Sequence, residues 1–187
     1  MGKLTFIIGG ARSGKSTYAE DLASQIGGST IYIATAQPLD QEMATRIRNH
    51  RLSRPSHWKT LEIPSGIASH AAAIPRDTKV ILLDCLTLLV SNLLMNQTNH
   101  DNHLDEGLAQ KSVGVEITSL LELIDNTSAH WIIVSNEVGM GLVPPYPLGR
   151  IYRDQLGWAN QQIALHADEV ILMIAGLPWL LTPAEQL

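Results

Sequence analysis

The chain has 187 residues, 45% of them hydrophobic and 17% charged, and a net charge of −5 from 13 Lys and Arg against 18 Asp and Glu. So few basic residues, spread along the whole sequence, exclude a basic stripe that could track a nucleic-acid backbone, and no nucleic-acid partner is expected. The length suits one domain over 1–187, and the single cysteine, Cys85, excludes an intrachain disulfide and fits a reducing compartment.

The longest apolar stretch, residues 170–181, is broken by Gly176 and Pro178 and is too short to span a bilayer. The N-terminus runs straight into a strand pattern with no signal peptide, so a cytoplasmic location without a transmembrane segment is expected. The apolar neighbours of Cys85 suggest a buried thiol.

In chain order, residues 4–8 form a β-rich apolar run. The loop Gly9, Gly10, Ala11, Arg12, Ser13, Gly14, Lys15, Ser16 follows and fits the phosphate-loop pattern G-x-x-x-x-G-K-[ST]. In that pattern glycines let backbone N–H groups close on phosphate oxygens at a helix N-terminus. Lys15 supplies a positive charge and Ser16 a hydroxyl for Mg²⁺, while Arg12 reads equally as a phosphate contact or a solvated arginine. Helical spacing begins at Thr17, and residues 30–35 read as a second buried strand ending in small residues. Over 40–52 the pattern turns helical, with Leu39, Met43 and Ile47 as an apolar stripe.

Residues 80–84 predict a strand that ends on Asp84. A polar insertion over 96–105 holds His100 and His103, for which a solvated loop is a better reading than half a metal site. A strand over 131–135 leads into Asn136 and Glu137, a helix covers 148–167, and a last strand covers 169–174. Strands alternating with helices, several of them continuous apolar runs, predict an α/β fold of the phosphate-loop NTPase (RecA-like) kind, a mostly parallel sheet with helices on both faces. Ligands of such sheets sit at the carboxyl ends of strands, where Gly9, Thr35, Asp84 and Asn136 all fall.

Asp84 occupies the position of a carboxylate that holds Mg²⁺ directly or through water; the alternative is a cap on the next helix. Glu42, Arg46 and His50 share one helical stripe, with Arg51 and Arg54 close behind. Like charge disfavours a protonated His50, and a neutral imidazole can attack phosphorus while arginines hold its oxygens; the alternative is a surface histidine. Asn136 and Glu137 could orient a hydroxyl or a metal's water, or stabilise a turn. Trp58, Trp131 and Trp158 read as core rather than as platforms for a flat ligand.

The blocks GGARSGKS, YIATA, EMATRIRNHRLSRPSHWKTLE, LLDCLTLLVSN, VSNEVGMGLVP, LGRIYRDQLGWANQ and ADEV follow one another from Ile7 to about Gly176. In this order they closely resemble the bifunctional adenosylcobinamide kinase / adenosylcobinamide-phosphate guanylyltransferase family of cobalamin assembly. The resemblance implies phosphorylation of adenosylcobinamide with ATP or GTP, then transfer of GMP from GTP to adenosylcobinamide phosphate through a guanylylated histidine. His50 matches that histidine; some relatives carry a second one just before it, where this chain has Asn49. By the same matching the nucleotide contacts are Gly9 to Ser16, Ala34, Thr35 and Ala36, then Arg51, Leu52, Ser53 and Arg54, with Glu62 and Asp84. The family also implies a homo-oligomer, a trimer or ring, while Mg²⁺ is expected from Ser16 and Asp84 of the phosphate-loop pattern. Two other readings stand beside it: a kinase for a different small alcohol in which His50 is structural, and a phosphate-loop NTPase switch.

Overall fold

The computed structural model describes residues 2–97 and 105–181, and within these leaves aside the side chains of Glu42, Arg46, Asn49 and Ser53. His100 and His103 lie outside the described residues. The strands are β1 (Leu4–Gly9), β2 (Thr30–Ala34), β3 (Lys59–Glu62), β4 (Val80–Asp84), β5 (His130–Asn136), β6 (Glu169–Ile174) and β7 (Leu177–Leu181). The helices are α1 (Lys15–Ile26), α2 (Gln41–Ser53), α3 (Leu86–Asn96), α4 (Glu106–Asp125) and α5 (Pro147–His166), with a 3₁₀ helix at Ile67–Ala73.

The strands form one sheet in the order β3-β2-β4-β5-β1-β6-β7, parallel except for the β6–β7 pair. The expected α/β architecture is therefore present, with β5 between the strand of the glycine loop and the strand of Asp84. The continuous apolar runs follow from burial on both faces. Phe6, Ile31, Ile33, Ile81, Leu83 and Ile133 pack in the cluster that contains the apolar stripes of α3, α4 and α5. Their strand neighbours Ile7, Tyr32, Leu82, Ile132 and Val134 pack in the cluster of Ala19 and Ala23 on α1. Those two alanines, one turn apart and fully buried, seat α1 against the sheet.

Two strands escaped the sequence pattern. β3 is a short, half-exposed edge with no apolar run, KTLE. β7 continues past what reads as the last strand: Ala175 (φ 52°) and Gly176 (φ 84°) make a two-residue turn of the kind that requires positive φ at both positions. Pro178 is tolerated because β7 is the last strand of the sheet. Trp58 and Trp131 are core residues as expected, but Trp158 is a correction: it lies 36% exposed on α5. Helix periodicity marks the whole turn, and this tryptophan sits on its outer side.

Candidate functional site

Register brings the chemistry to one rim. Gly9 pairs with Asn136, and Ala34 pairs with both Asp84 and Glu62, so these residues lie together at the carboxyl ends of the parallel strands. The chain leaves β1 through the glycine loop and enters α1 at Lys15, with Gly14 in the left-handed region (φ 93°) at the N-cap. The loop is braced from behind. The Gly176 N–H donates to the Ser13 carbonyl at 3.0 Å, and a Cβ placed on Gly9 would lie 2.5 Å from the Met173 carbonyl oxygen.

Lys15 is buried and its Nζ donates to the Gly10 carbonyl at 2.6 Å. Burial lowers its pKa, opposed by Cys85 and Asp84. The buried Ser13 Oγ has no hydrogen-bond partner among the described residues, a polar atom in need of a ligand oxygen or water. Arg12 is exposed and joins Ser13 to Thr17 around a shallow cleft at the helix N-terminus.

Asp84 does not cap α3, whose N-cap is Cys85 with no side-chain cap bond. One of its carboxylate oxygens accepts from the Tyr32 hydroxyl at 2.7 Å. Burial first, then Asp84, raises the Tyr32 pKa, so the phenol stays a donor. The Arg54 guanidinium lies 3.3 Å from the centre of the Tyr32 ring, a close cation–π contact. Burial and then Asp84 push the Cys85 thiol up to about 12, which leaves it an inert thiol. The thiol is buried, as its apolar neighbours suggest, while the residue as a whole is partly exposed.

Asp40 starts α2 by accepting from the Met43 N–H at 2.7 Å. This helix lays Met43, Ile47 and His50 over the rim, where with Arg54 they line a cavity of about 170 Å³ also walled by Ser16, Tyr32, Ala34, Ala36, Asp84, Cys85 and Leu88. An adjoining cleft is lined by Ala34, Ala36, Arg51, Arg54 and Glu62, among others, and Arg51 lies 3.6 Å from Glu62.

His50 Nδ1 lies 3.4 Å from Glu20 Oε1 on α1. Contact with Glu20 raises the His50 pKa above its ordinary value; burial opposes this, Asp84 adds to it, and Arg54 opposes it weakly. Arg54 does disfavour the protonated ring, as expected, but the net shift runs the other way. Arg54 is outweighed by a carboxylate 30 positions earlier in sequence, on another helix, that no local pattern reveals.

Some expected contacts are not gathered here. Thr35 is fully buried: its hydroxyl donates to the Cys85 carbonyl at 2.8 Å and accepts from the Cys85 N–H at 2.9 Å. Leu52 is 78% exposed, and the Ser53 side chain lies outside the described residues. Glu137 turns its carboxylate onto its own loop, accepting from the N–H groups of Gly139 and Met140, as a turn-stabilising residue does. Asn136 is fixed through its backbone, its N–H donating to Thr87 Oγ1 at 2.8 Å and its carbonyl accepting from Asn160 at 3.1 Å.

Sequence reasoning missed Glu20 and Tyr32. One signal for Glu20 was there: it stands four residues after Ser16, on the same helical face as the hydroxyl of the phosphate loop.

Residues 5–181 match the model of the family described as cobinamide kinase / cobinamide phosphate guanyltransferase. The chain belongs to this family. It is 43% identical over 172 residues to the bifunctional adenosylcobalamin biosynthesis protein CobP of Pseudomonas aeruginosa, covering 92% of this chain and 93% of that one. It is 41% identical over 178 residues to the bifunctional adenosylcobalamin biosynthesis protein CobU of Escherichia coli, covering 93% and 97%. The protein of that name from Salmonella typhimurium is 39% identical over 176 residues, with the same coverage. The expected family is therefore found, and it is a family of bifunctional kinases and guanylyltransferases. Among the described residues no helix is long and apolar enough to cross a membrane.

Proposed function

We propose that one domain spanning residues 1–187 phosphorylates adenosylcobinamide with ATP or GTP and then transfers GMP from GTP to the product by way of a guanylylated His50. The observation that carries this reading is that His50, Ser16 of the phosphate loop and Asp84 line one cavity. In the kinase step the loop N–H groups and Lys15 hold the phosphates while the substrate hydroxyl attacks the γ-phosphorus. In the second reaction two anions must combine, and a neutral imidazole nitrogen in the first half avoids their direct encounter. Arg54, which lines the cavity, and Arg51, which with Arg54 lines the adjoining cleft, would hold phosphoryl oxygens in both halves.

A hydroxyl and one carboxylate are a donor set that suits Mg²⁺, which keeps several waters and takes its remaining ligands from substrate phosphates. Ser16 and Asp84 would hold it, with Tyr32 fixing the carboxylate by one oxygen. When bound, it would neutralise charge on the phosphate oxygens. Asp84→Asn keeps the shape and loses the charge, so the Mg²⁺ concentration for half activity is expected to rise strongly; an unaltered Mg²⁺ dependence would make Asp84 structural.

A trimer or ring belongs to the same proposal. Leu177, Leu180 and Trp179 stand exposed on the edge strand β7, a surface of the kind that proteins normally cover. Equilibrium sedimentation tests it, and a monomer at working concentration refutes it. A reaction drawing on GTP and ATP runs where those nucleotides are kept, and the cytoplasm is the proposed place.

The deciding experiment is incubation with α-labelled GTP and Mg²⁺. A P–N bond is labile in acid and survives alkali, so the protein is expected to retain label that acid releases and base does not, and His50→Ala to abolish it. Label retained by His50→Ala, or mapped to His57 or His70, would remove His50 from this role.

A further inference from the structure

We propose that Glu20 on α1 is a positioning residue for guanylyl transfer: its carboxylate holds His50 with the ring proton on Nδ1, so that Nε2 makes the bond to the α-phosphorus of GTP. The proposal rests on the reading of His50 as the guanylylated residue.

The geometry singles out this carboxylate. Glu20 Oε1 lies 3.4 Å from His50 Nδ1 and 3.9 Å from Arg54 Nε, with the Glu20 side chain only 15% exposed. Both contacts are longer than an ordinary hydrogen bond: Glu20 Oε1 forms a long ion pair with Arg54 Nε and faces His50 Nδ1 in a stretched contact. Catalytic contacts of this kind are often long in the absence of substrate and tighten when it binds. Asp84, the carboxylate that lines the cavity, has one oxygen taken by Tyr32, whereas Glu20 meets His50 from α1.

The partner of one ring nitrogen decides what the other can do. A carboxylate only accepts, so the nitrogen facing it carries the hydrogen and the lone pair resides on Nε2. When the Nε2 lone pair forms the P–N bond, the bridging P–O bond to the β-phosphate breaks and its electron pair leaves on pyrophosphate. The ring keeps its Nδ1–H and becomes cationic, and the Glu20 carboxylate offsets that charge, as the buried aspartate of a Ser-His-Asp triad does for its imidazolium. In the second half an oxygen of the acceptor phosphate attacks the same phosphorus. The P–N electron pair then returns to Nε2, and no proton needs to leave Nδ1 at any point.

The geometry gives Glu20 a second consequence. Because Glu20 lies one helical turn beyond Ser16, it ties the placement of the histidine to the helix that begins at the phosphate loop. Arg54 extends the cluster to Tyr32, and Tyr32 extends it to Asp84.

The test is single-turnover labelling with α-labelled GTP for the natural protein and for Glu20→Gln, Glu20→Asp and His50→Ala. It is combined with nitrogen-15 NMR of labelled histidine to locate the phosphorus. The expected adduct in the natural protein is on Nε2. Glu20→Gln can donate as well as accept, so it is expected to slow labelling by about 10- to 100-fold and to let part of the adduct form on Nδ1. Glu20→Asp keeps the charge and is expected to restore part of the rate with the adduct on Nε2. An Nδ1 adduct in the natural protein overturns the proposal, and so does Glu20→Gln labelling at the natural rate on Nε2. A loss of kinase turnover in Glu20→Gln as large as its loss of labelling overturns it too, since the effect would then lie in the phosphate loop. If Glu20→Gln does not fold, the nitrogen assignment in the natural protein still decides. Label on His50→Ala is a different failure, that of the underlying reading.

Discussion

Helices α1 and α2 meet over the same cavity but are held in place by opposite means. The loop before α1 has Gly14 at its N-cap and Gly9 against Met173, and α1 itself packs two fully buried alanines on the sheet. No described residue of α2 is buried. This helix is attached by its Asp40 cap, by half-buried Met43 and Ile47, and by polar contacts: His50 and Arg54 with Glu20, Arg51 with Glu62, and Arg54 with Tyr32 across the segment's end. The glycine loop is thus fixed by backbone geometry and apolar packing, whereas the placement of the histidine depends on charges.

The largest effect expected from this contrast is in Lys15→Ala. The ammonium is enclosed by the loop it bonds to, and loss of one preorganised charge-stabilising donor costs about 100-fold or more in turnover. Steady-state phosphorylation of adenosylcobinamide is the measurement, with circular dichroism to check the fold. Unchanged turnover would mean that the loop does not hold the reacting phosphates.

The next effect is one of pH. In the proposed reaction the imidazole attacks only when neutral, and contact with Glu20 raises the His50 pKa, with Asp84 acting in the same sense and burial and Arg54 opposing. The rate of label formation is therefore expected to rise with pH through a midpoint above the ordinary histidine value of about 6.5, and to fall about tenfold per pH unit below it. In Glu20→Gln the midpoint moves down. A midpoint at or below the ordinary value in the natural protein would show that burial, with Arg54, outweighs the two carboxylates.

The same contrast explains what was legible in the sequence. The phosphate loop is a local pattern whose glycines, lysine and serine work through backbone geometry a few residues away, so it could be read directly. Asp84 at a strand end and Asp40 at a helix start are equally local, and both stand where the pattern puts them. The surroundings of His50 are not local: Glu20 is on another helix, Asp84 is on a central strand, and only family resemblance singled the histidine out. Tyr32 was hidden for a related reason. An aromatic inside an apolar strand reads as core, and nothing in the run predicts that its hydroxyl reaches the carboxylate of the neighbouring strand. β7 was hidden because Gly176 and Pro178, ordinary breakers of structure, act here as a turn and as an edge residue.

A smaller effect is expected at Gly9. In Gly9→Ala the new methyl meets the Met173 backbone at 2.5 Å, and a backbone carbonyl cannot swing aside as a side chain would. Overpacking of this kind costs about 1–3 kcal/mol. Urea unfolding is the measurement, and a change below that range would mean that β1 and β6 can separate without penalty.

The smallest effect belongs to the polar side of the comparison. Arg51 and Glu62 lie 3.6 Å apart with side chains 66% and 65% exposed, so water and salt screen most of their attraction. Exposed pairs are worth about 0–1 kcal/mol, and Arg51→Ala is expected to change the unfolding free energy by less than about 0.5 kcal/mol. The value of the variant lies in that small number. With stability untouched, a rise in the KM for GTP assigns Arg51 to the nucleotide, while Arg51→Lys, which keeps charge but loses the planar fork, should recover only part of the affinity. If instead stability drops by 1 kcal/mol or more, the 3.6 Å pair is a principal fastening of α2, and the helix is anchored to the edge strand β3 as firmly as to Glu20 on α1.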